Sequence, residues 1–223
     1  MTVKATVTRR SSDLEAAILA AARDLLAQRG LDGLSMRAVA DRVGVSATAL
    51  YHYFENKDAL VERVVQSGFQ RFGEYLQEAA ERHPHGSLER VRALGEAYVH
   101  FALENQAYFR VLFSLRPGHP QKIGDLPDGG GYGVLRAAVV GSMAAGTMRR
   151  ADPDLVVMYL WSMTHGLLTI AMACRIEECP ELGPGITGRQ PLDLFKAFGT
   201  FVRDGLAQRS DEGATANTGE GSA

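Results

Sequence analysis

Residues 35–57, Ser-Met-Arg-Ala-Val-Ala-Asp-Arg-Val-Gly-Val-Ser-Ala-Thr-Ala-Leu-Tyr-His-Tyr-Phe-Glu-Asn-Lys, read as two short helices meeting at a glycine. Ser35 suits an N-cap, and Met36, Val39, Ala40 and Val43 recur at the spacing of one helix face. Gly44 supplies the backbone freedom that ends the first helix, and Ser46 can cap a second one reaching His52. In that register Val45 and Leu50 turn inward, leaving Ala47, Thr48, Tyr51 and His52 outward with Tyr53 just beyond. Small residues, hydroxyls and aromatic polar tips, with no acid among them, suit the edge of a DNA groove. The pattern is that of a helix-turn-helix with its recognition helix.

Residues 39–60, Val-Ala-Asp-Arg-Val-Gly-Val-Ser-Ala-Thr-Ala-Leu-Tyr-His-Tyr-Phe-Glu-Asn-Lys-Asp-Ala-Leu, also resemble the DNA-binding signature of the tetracycline-repressor (TetR) family of bacterial regulators. The likeness is ungapped and covers about residues 14–62. It implies an all-α homodimer in the cytoplasm that binds a near-palindromic operator in double-stranded DNA. It also implies release from that DNA when a small, largely apolar effector fills a C-terminal pocket. Carried over position by position, the resemblance places Ala47, Thr48 and His52 over bases and Tyr51, Tyr53 and Lys57 at phosphates. Ser35, Arg37 and Ser46 complete the DNA-facing set, whereas Phe54 falls in the core. Ala47 departs from the polar side chain that many relatives carry there, which points to sparse direct hydrogen bonding to bases.

Composition limits the remainder. At 223 residues the chain can hold a small domain and one of ordinary size. The resulting division is a basic arm at 1–11, flexible when DNA is absent, and a helix-turn-helix domain at 12–56. A ligand-binding and dimerisation domain follows at 57–209, then a low-complexity, disordered tail at 210–223. Net charge is −2, divided as +1 for residues 1–60 and −3 beyond, so DNA affinity has to come from placed contacts rather than net field. Two cysteines, Cys174 and Cys179, are too few for a disulfide framework and fit a reducing cytosol. Met1 to Ser12 is polar, carries Lys4, Arg9 and Arg10, and does not read as a signal peptide. Those three cations can reach a neighbouring groove or belong to a solvated tail.

Ser12 with Glu15 forms a capping box for a first helix that Gly30 stops. Asn56 caps a long helix from Lys57 to about Arg82, a rigid rod from the DNA backbone into the second domain. Further helices are expected from Ser87, from Ala107, over Tyr132–Arg149, and from Pro191 to about Gln208. Arg116 to Gly131, rich in glycine and proline, reads as a loop.

Asp152-Pro153-Asp154 marks a helix start, and the twenty residues Leu155–Cys174 carry no formal charge. Length alone would fit a membrane span. Ser162, Thr164, His165 and Gly166 interrupt its centre, so the reading is a helix packed on its own core and on a partner chain. Pairing with the last helix would give a four-helix dimer interface, as the family resemblance also implies. Trp161, His165 and Gly166 resemble the Trp-His-Gly pattern of one subgroup of the family's C-terminal domains. Trp161 and His165 share a helix face. With Tyr98, Phe101, Phe109, Phe113 and Met143 they could line an apolar cavity holding a few polar handles, or be ordinary core.

Cys174 and Cys179 read as inert thiols, and His83-Pro-His85 as a solvated turn without further metal ligands. No phosphate loop, HExxH or Gly-x-Ser-x-Gly is present, so neither an enzyme nor a cofactor is indicated. Two alternatives stand beside the ligand-released repressor. One is a DNA-binding regulator answering to a protein or to nothing. The other is a DNA-processing enzyme carrying a helix-turn-helix, which would need an acid cluster that the C-terminal part lacks.

Overall fold

The computed structural model describes residues 2–113, 131–174 and 176–206. The elements are α1 (Thr2–Arg29), α2 (Met36–Val43), α3 (Ala47–Tyr51), α4 (Lys57–Glu81), α5 (Leu88–Glu104), α6 (Gln106–Phe113), α7 (Tyr132–Ala144), α8 (Pro153–Cys174) and α9 (Pro191–Leu206). Short 3-10 turns at Ile176–Glu178 and Pro180–Leu182 lie between α8 and α9. The fold is all-α, as the periodicity of the sequence led us to expect.

Most starts follow from local capping. The Ser35 hydroxyl accepts from the Ala38 amide at 3.1 Å, and Ser46 from Ala49 at 3.2 Å. Asn56 Oδ1 accepts from Ala59 at 2.8 Å, and the Ser87 hydroxyl from Arg90 at 3.2 Å. Asp152 Oδ1 takes the amides of Asp154 and Leu155 at 2.9 and 3.2 Å. Each bond satisfies an amide that has no partner within its helix.

Two boundaries differ from expectation. α1 begins at Thr2, so Ser12 lies within it and the arm expected to be flexible has helical backbone from Thr2 onward. No glycine or proline falls between Thr2 and Arg29, and a helix once nucleated propagates through such a stretch. α7 ends at Ala144 rather than Arg149, because Gly146 turns the chain at φ 74°. The amides of Thr147 and Met148 then return to the Ser142 carbonyl at 3.0 and 3.1 Å. The expected loop, apart from Gly131, and the expected tail at 210–223 lie outside the described residues.

The chain forms two compact units. The first comprises Met1–Glu81 with Glu96–Val134, and the second Arg82–Gly95 with Leu135–Ala223. In the first, α1 packs on α2, α4 and α6, and α2 on α3. Ile18, Ala22, Leu25, Val39, Leu50, Leu60 and Val64 are buried together there, as is Phe54, the residue expected to be core rather than contact. Gly68 lets α4 and α6 approach closely: a Cβ there would lie 2.8 Å from Tyr108 Cδ1 and 2.9 Å from Leu112 Cδ2. The Tyr108 hydroxyl meets Ser67 at 3.1 Å, while the Arg23 guanidinium of α1 sits 5.0 Å above its ring.

In the second unit α8 packs on α9. Val156, Val157, Leu160, Leu167, Leu168 and Ala171 bury one side of α8, with the Thr164 hydroxyl returned to the Leu160 carbonyl at 2.9 Å. The opposite side exposes Leu155, Met158, Tyr159 and Ile170, and α9 exposes Phe201; Leu155 is 71% and Phe201 74% accessible. By length and composition alone α8 could cross a membrane.

Candidate nucleic-acid interface

The interface is built on a division of labour within α3. Leu50 is fully buried, and with Phe54 just beyond it ties a helix of five residues to the core below. So short a helix is not stable alone, and its position is therefore set by that anchoring and by the Ser46 cap. Gly44, at φ 79°, ends α2 and its amide returns to the Ala40 carbonyl. The Val45 amide bonds to the same carbonyl at 3.0 Å, fixing the turn between the two helices.

Thr48, Tyr51 and His52 are exposed, and Tyr51 keeps 54% of its surface in solvent. An exposed tyrosine of that size without a core role is available to a partner. Ala47 and Tyr53 are half-buried beside them. Ser35 and Arg37 are exposed at the start of α2. The hydroxyls of Ser35 and Ser46 both accept backbone amides, so their first task is to shape the helices.

Lys57 makes a contact that its sequence position does not disclose. Its ammonium donates to the Leu31 carbonyl at 2.6 Å, tying the first residue of α4 to the segment between α1 and α2. Three donors on one ammonium leave capacity for a phosphate beside that tie. The contact joins residues 26 apart, and helical periodicity carries no signal for it.

The residues expected to line an effector cavity fall into two groups. Tyr98, Phe101, Phe109 and Phe113 belong to the first unit and gather around Phe72 and Phe69 of α4. Phe72 lies 4.9 Å from both Tyr98 and Phe101, and Phe113 lies 5.6 Å from Tyr98 and 5.3 Å from Phe109. Tyr98, Phe101 and Phe109 are buried in this cluster. At its centre is Phe72, and periodicity along α4 carries no signal for which rings it meets.

Met143, Trp161 and His165 belong to the second unit and are half-buried. Burial pushes the His165 pKa down, favouring the neutral ring, whose Nε2 lies 3.4 Å from the Thr169 hydroxyl. At the end of α8 and just past it, Cys174 and Cys179 are not joined in a disulfide, and Cys179 Sγ lies 3.5 Å from the Cys174 carbonyl.

Comparison with known proteins agrees with this architecture. The family model of bacterial regulatory proteins of the tetR family matches residues 18–64, and that of the tetracyclin repressor-like C-terminal domain matches residues 91–181. The chain is 44% identical over 50 residues to the tetracycline repressor protein class A from transposon 1721 of Escherichia coli, covering 22% of this chain and 23% of that one. It spans less than half the length of the curated relatives it matches. Among solved structures, a protein of unknown function from Rhodococcus sp. RHA1 superposes with a TM-score of 0.71 at 27% identity, covering 87% of this chain and 96% of that one. A TetR family transcription regulator from Marinobacter aquaeolei VT8 superposes at 0.69 and 18% identity, covering 91% and 100%, and shares the fold.

Proposed function

The chain belongs to the tetracycline-repressor family of bacterial regulators, and from that premise we propose that it is a cytoplasmic DNA-binding transcriptional repressor. It acts as a dimer, placing one α3 in each of two successive major grooves of a near-palindromic operator. The observation that carries this reading is the exposed set Thr48, Tyr51 and His52 on and just after a helix that Leu50 anchors in the core. Thr48 and His52, with Ala47, face bases; Tyr51, Tyr53 and Lys57 hold the phosphate backbone, and Ser35, Arg37 and Ser46 border the same surface.

A second copy of the chain covers the apolar surface formed by Leu155, Met158, Tyr159, Ile170 and Phe201. That occupant, rather than lipid, accounts for the uncharged run of α8. A small, largely apolar effector is read by the C-terminal domain; the candidate contacts are Tyr98, Phe101, Phe109 and Phe113 in the first unit and, separately, Met143, Trp161 and His165 in the second. Its binding stabilises a spacing of the two recognition helices that no longer fits the operator. The Trp-His-Gly subtype of the C-terminal domain is carried by Trp161, His165 and Gly166 alone and belongs to this proposal.

The experiment is binding of the purified protein to DNA from upstream of its own gene, against excess random DNA and across salt concentrations. We expect saturable binding that resists the competitor and weakens steeply as salt rises. Absence of DNA binding at every salt concentration would overturn the reading.

A further inference from the structure

The side chains that read bases by paired hydrogen bonds are absent from the recognition segment. Between Gly44 and Phe54 there is no Arg, Lys, Asn, Gln, Asp or Glu. Guanine is ordinarily read by Arg or Lys, adenine by Asn or Gln, and cytosine by an acid. The Ser46 hydroxyl is held at the helix start by accepting the Ala49 amide at 3.2 Å, and its one O–H cannot make a paired contact to a base. Leu50 is fully buried and offers nothing to the groove. At the front of α3 this leaves the Ala47 Cβ and the Thr48 side chain, a methyl beside a hydroxyl, followed by Tyr51 and His52.

One base edge matches that chemistry. In the major groove thymine presents a C5 methyl group next to its O4 acceptor, and it is the only base with an apolar group there. The Thr48 methyl can lie against the thymine methyl while its hydroxyl donates to O4, and Ala47 adds a second apolar surface one residue earlier. We infer that this protein selects its operator half-sites chiefly through thymine methyl groups, with Ala47 and Thr48 as the specificity-determining residues. Beside them His52 can add a single hydrogen bond to a base, and the remaining positions are distinguished through the shape and deformability of the duplex. The inference rests on the DNA-binding reading above and names the feature of DNA that α3 recognises.

The test selects bound sequences from a random-sequence duplex pool, then remakes the enriched duplex with deoxyuridine in place of thymidine, position by position. Deoxyuridine pairs as thymidine does and lacks only the C5 methyl. We expect one or two positions in each half-site at which the exchange weakens wild-type binding about fourfold, as removal of one buried methyl group implies. Thr48→Ser, which keeps the hydroxyl and loses the methyl, should abolish the preference for thymidine over deoxyuridine at one of those positions. Thr48→Val, which keeps methyl groups and loses the hydroxyl, should retain it. Because Thr48 is exposed, neither exchange should alter folding, and a thermal melt checks this. Competitor-resistant binding that is unchanged by deoxyuridine at every position would overturn the inference and leave the regulator standing. If no sequence is enriched, the DNA-binding reading fails and the inference fails with it.

Discussion

Lys57 ties α4 to the segment before α2 and is proposed to hold a phosphate, and its replacement tests both. The ammonium bonds the Leu31 carbonyl at 2.6 Å in a half-buried setting, and it stands at the edge of the proposed DNA contact. Lys57→Met keeps the aliphatic stem and removes the charge. The folded state should lose about 1 kcal/mol, read as a lower urea midpoint, because a half-buried carbonyl loses a charged donor. The slope of DNA affinity against salt should fall by about one phosphate contact. An unchanged midpoint would show that the tie contributes nothing, and an unchanged slope would remove Lys57 from the phosphate set. His165 makes a prediction in pH. Burial lowers its pKa in the folded chain, so as pH falls through the ordinary value of 6.5 the unfolded chain takes up a proton first. Stability should therefore be level above that value and decline below it, and His165→Gln should flatten the decline. Melts of both proteins at about pH 7.5 and about pH 5.5 test this; parallel losses would exclude His165 as the source.

The same contrast between local and distant causes holds for whole elements. Ser35, Ser46, Asn56, Ser87 and Asp152 each mark a helix start in the sequence because a cap acts on an amide two or three residues away. Ser12 misled because its signal is equally local, whereas extension of α1 back to Thr2 depends on an unbroken run before it. For α7, Gly146 lay in plain view inside the expected helix, yet only its φ of 74° shows that it stops the element. The exposure of Thr48, Tyr51 and His52 and the burial of Leu50 could be read from the sequence because they are defined within a few residues. Periodicity likewise assigned Tyr98, Phe101, Phe109 and Phe113 to inner faces, but it carries no information on which helix supplies the opposing ring. Gly68 illustrates what such pairing demands. A methyl at that position would meet Tyr108 and Leu112 of α6 at under 3 Å. Gly68→Ala should cost about 1–3 kcal/mol by forcing α4 and α6 apart, despite alanine's better helix propensity. A melt showing stabilisation would mean that the two side chains move aside freely.

At the scale of the whole molecule, the exposed apolar residues of α8 and α9 set the strongest expectation. Phe201→Glu places a charge where the proposed dimer buries a ring, so light scattering at micromolar concentration should report a monomer with its helical content intact. A dimer of unchanged affinity would move the interface elsewhere. The first compact unit carries a different consequence, because it is assembled from two stretches of chain with Arg82–Gly95 assigned to the other unit between them. α1, α2, α3 and the whole of α4 are complete at Glu81, yet α6, which covers part of α1 and α4, ends only at Phe113. On the ribosome, the helix-turn-helix therefore emerges about thirty residues ahead of the helix that closes its core, a delay of a few seconds at ~5–20 residues per second. For that interval the nascent chain presents the apolar flank of α1 and α4 uncovered, so the helix-turn-helix is translated before the helix that finishes its packing.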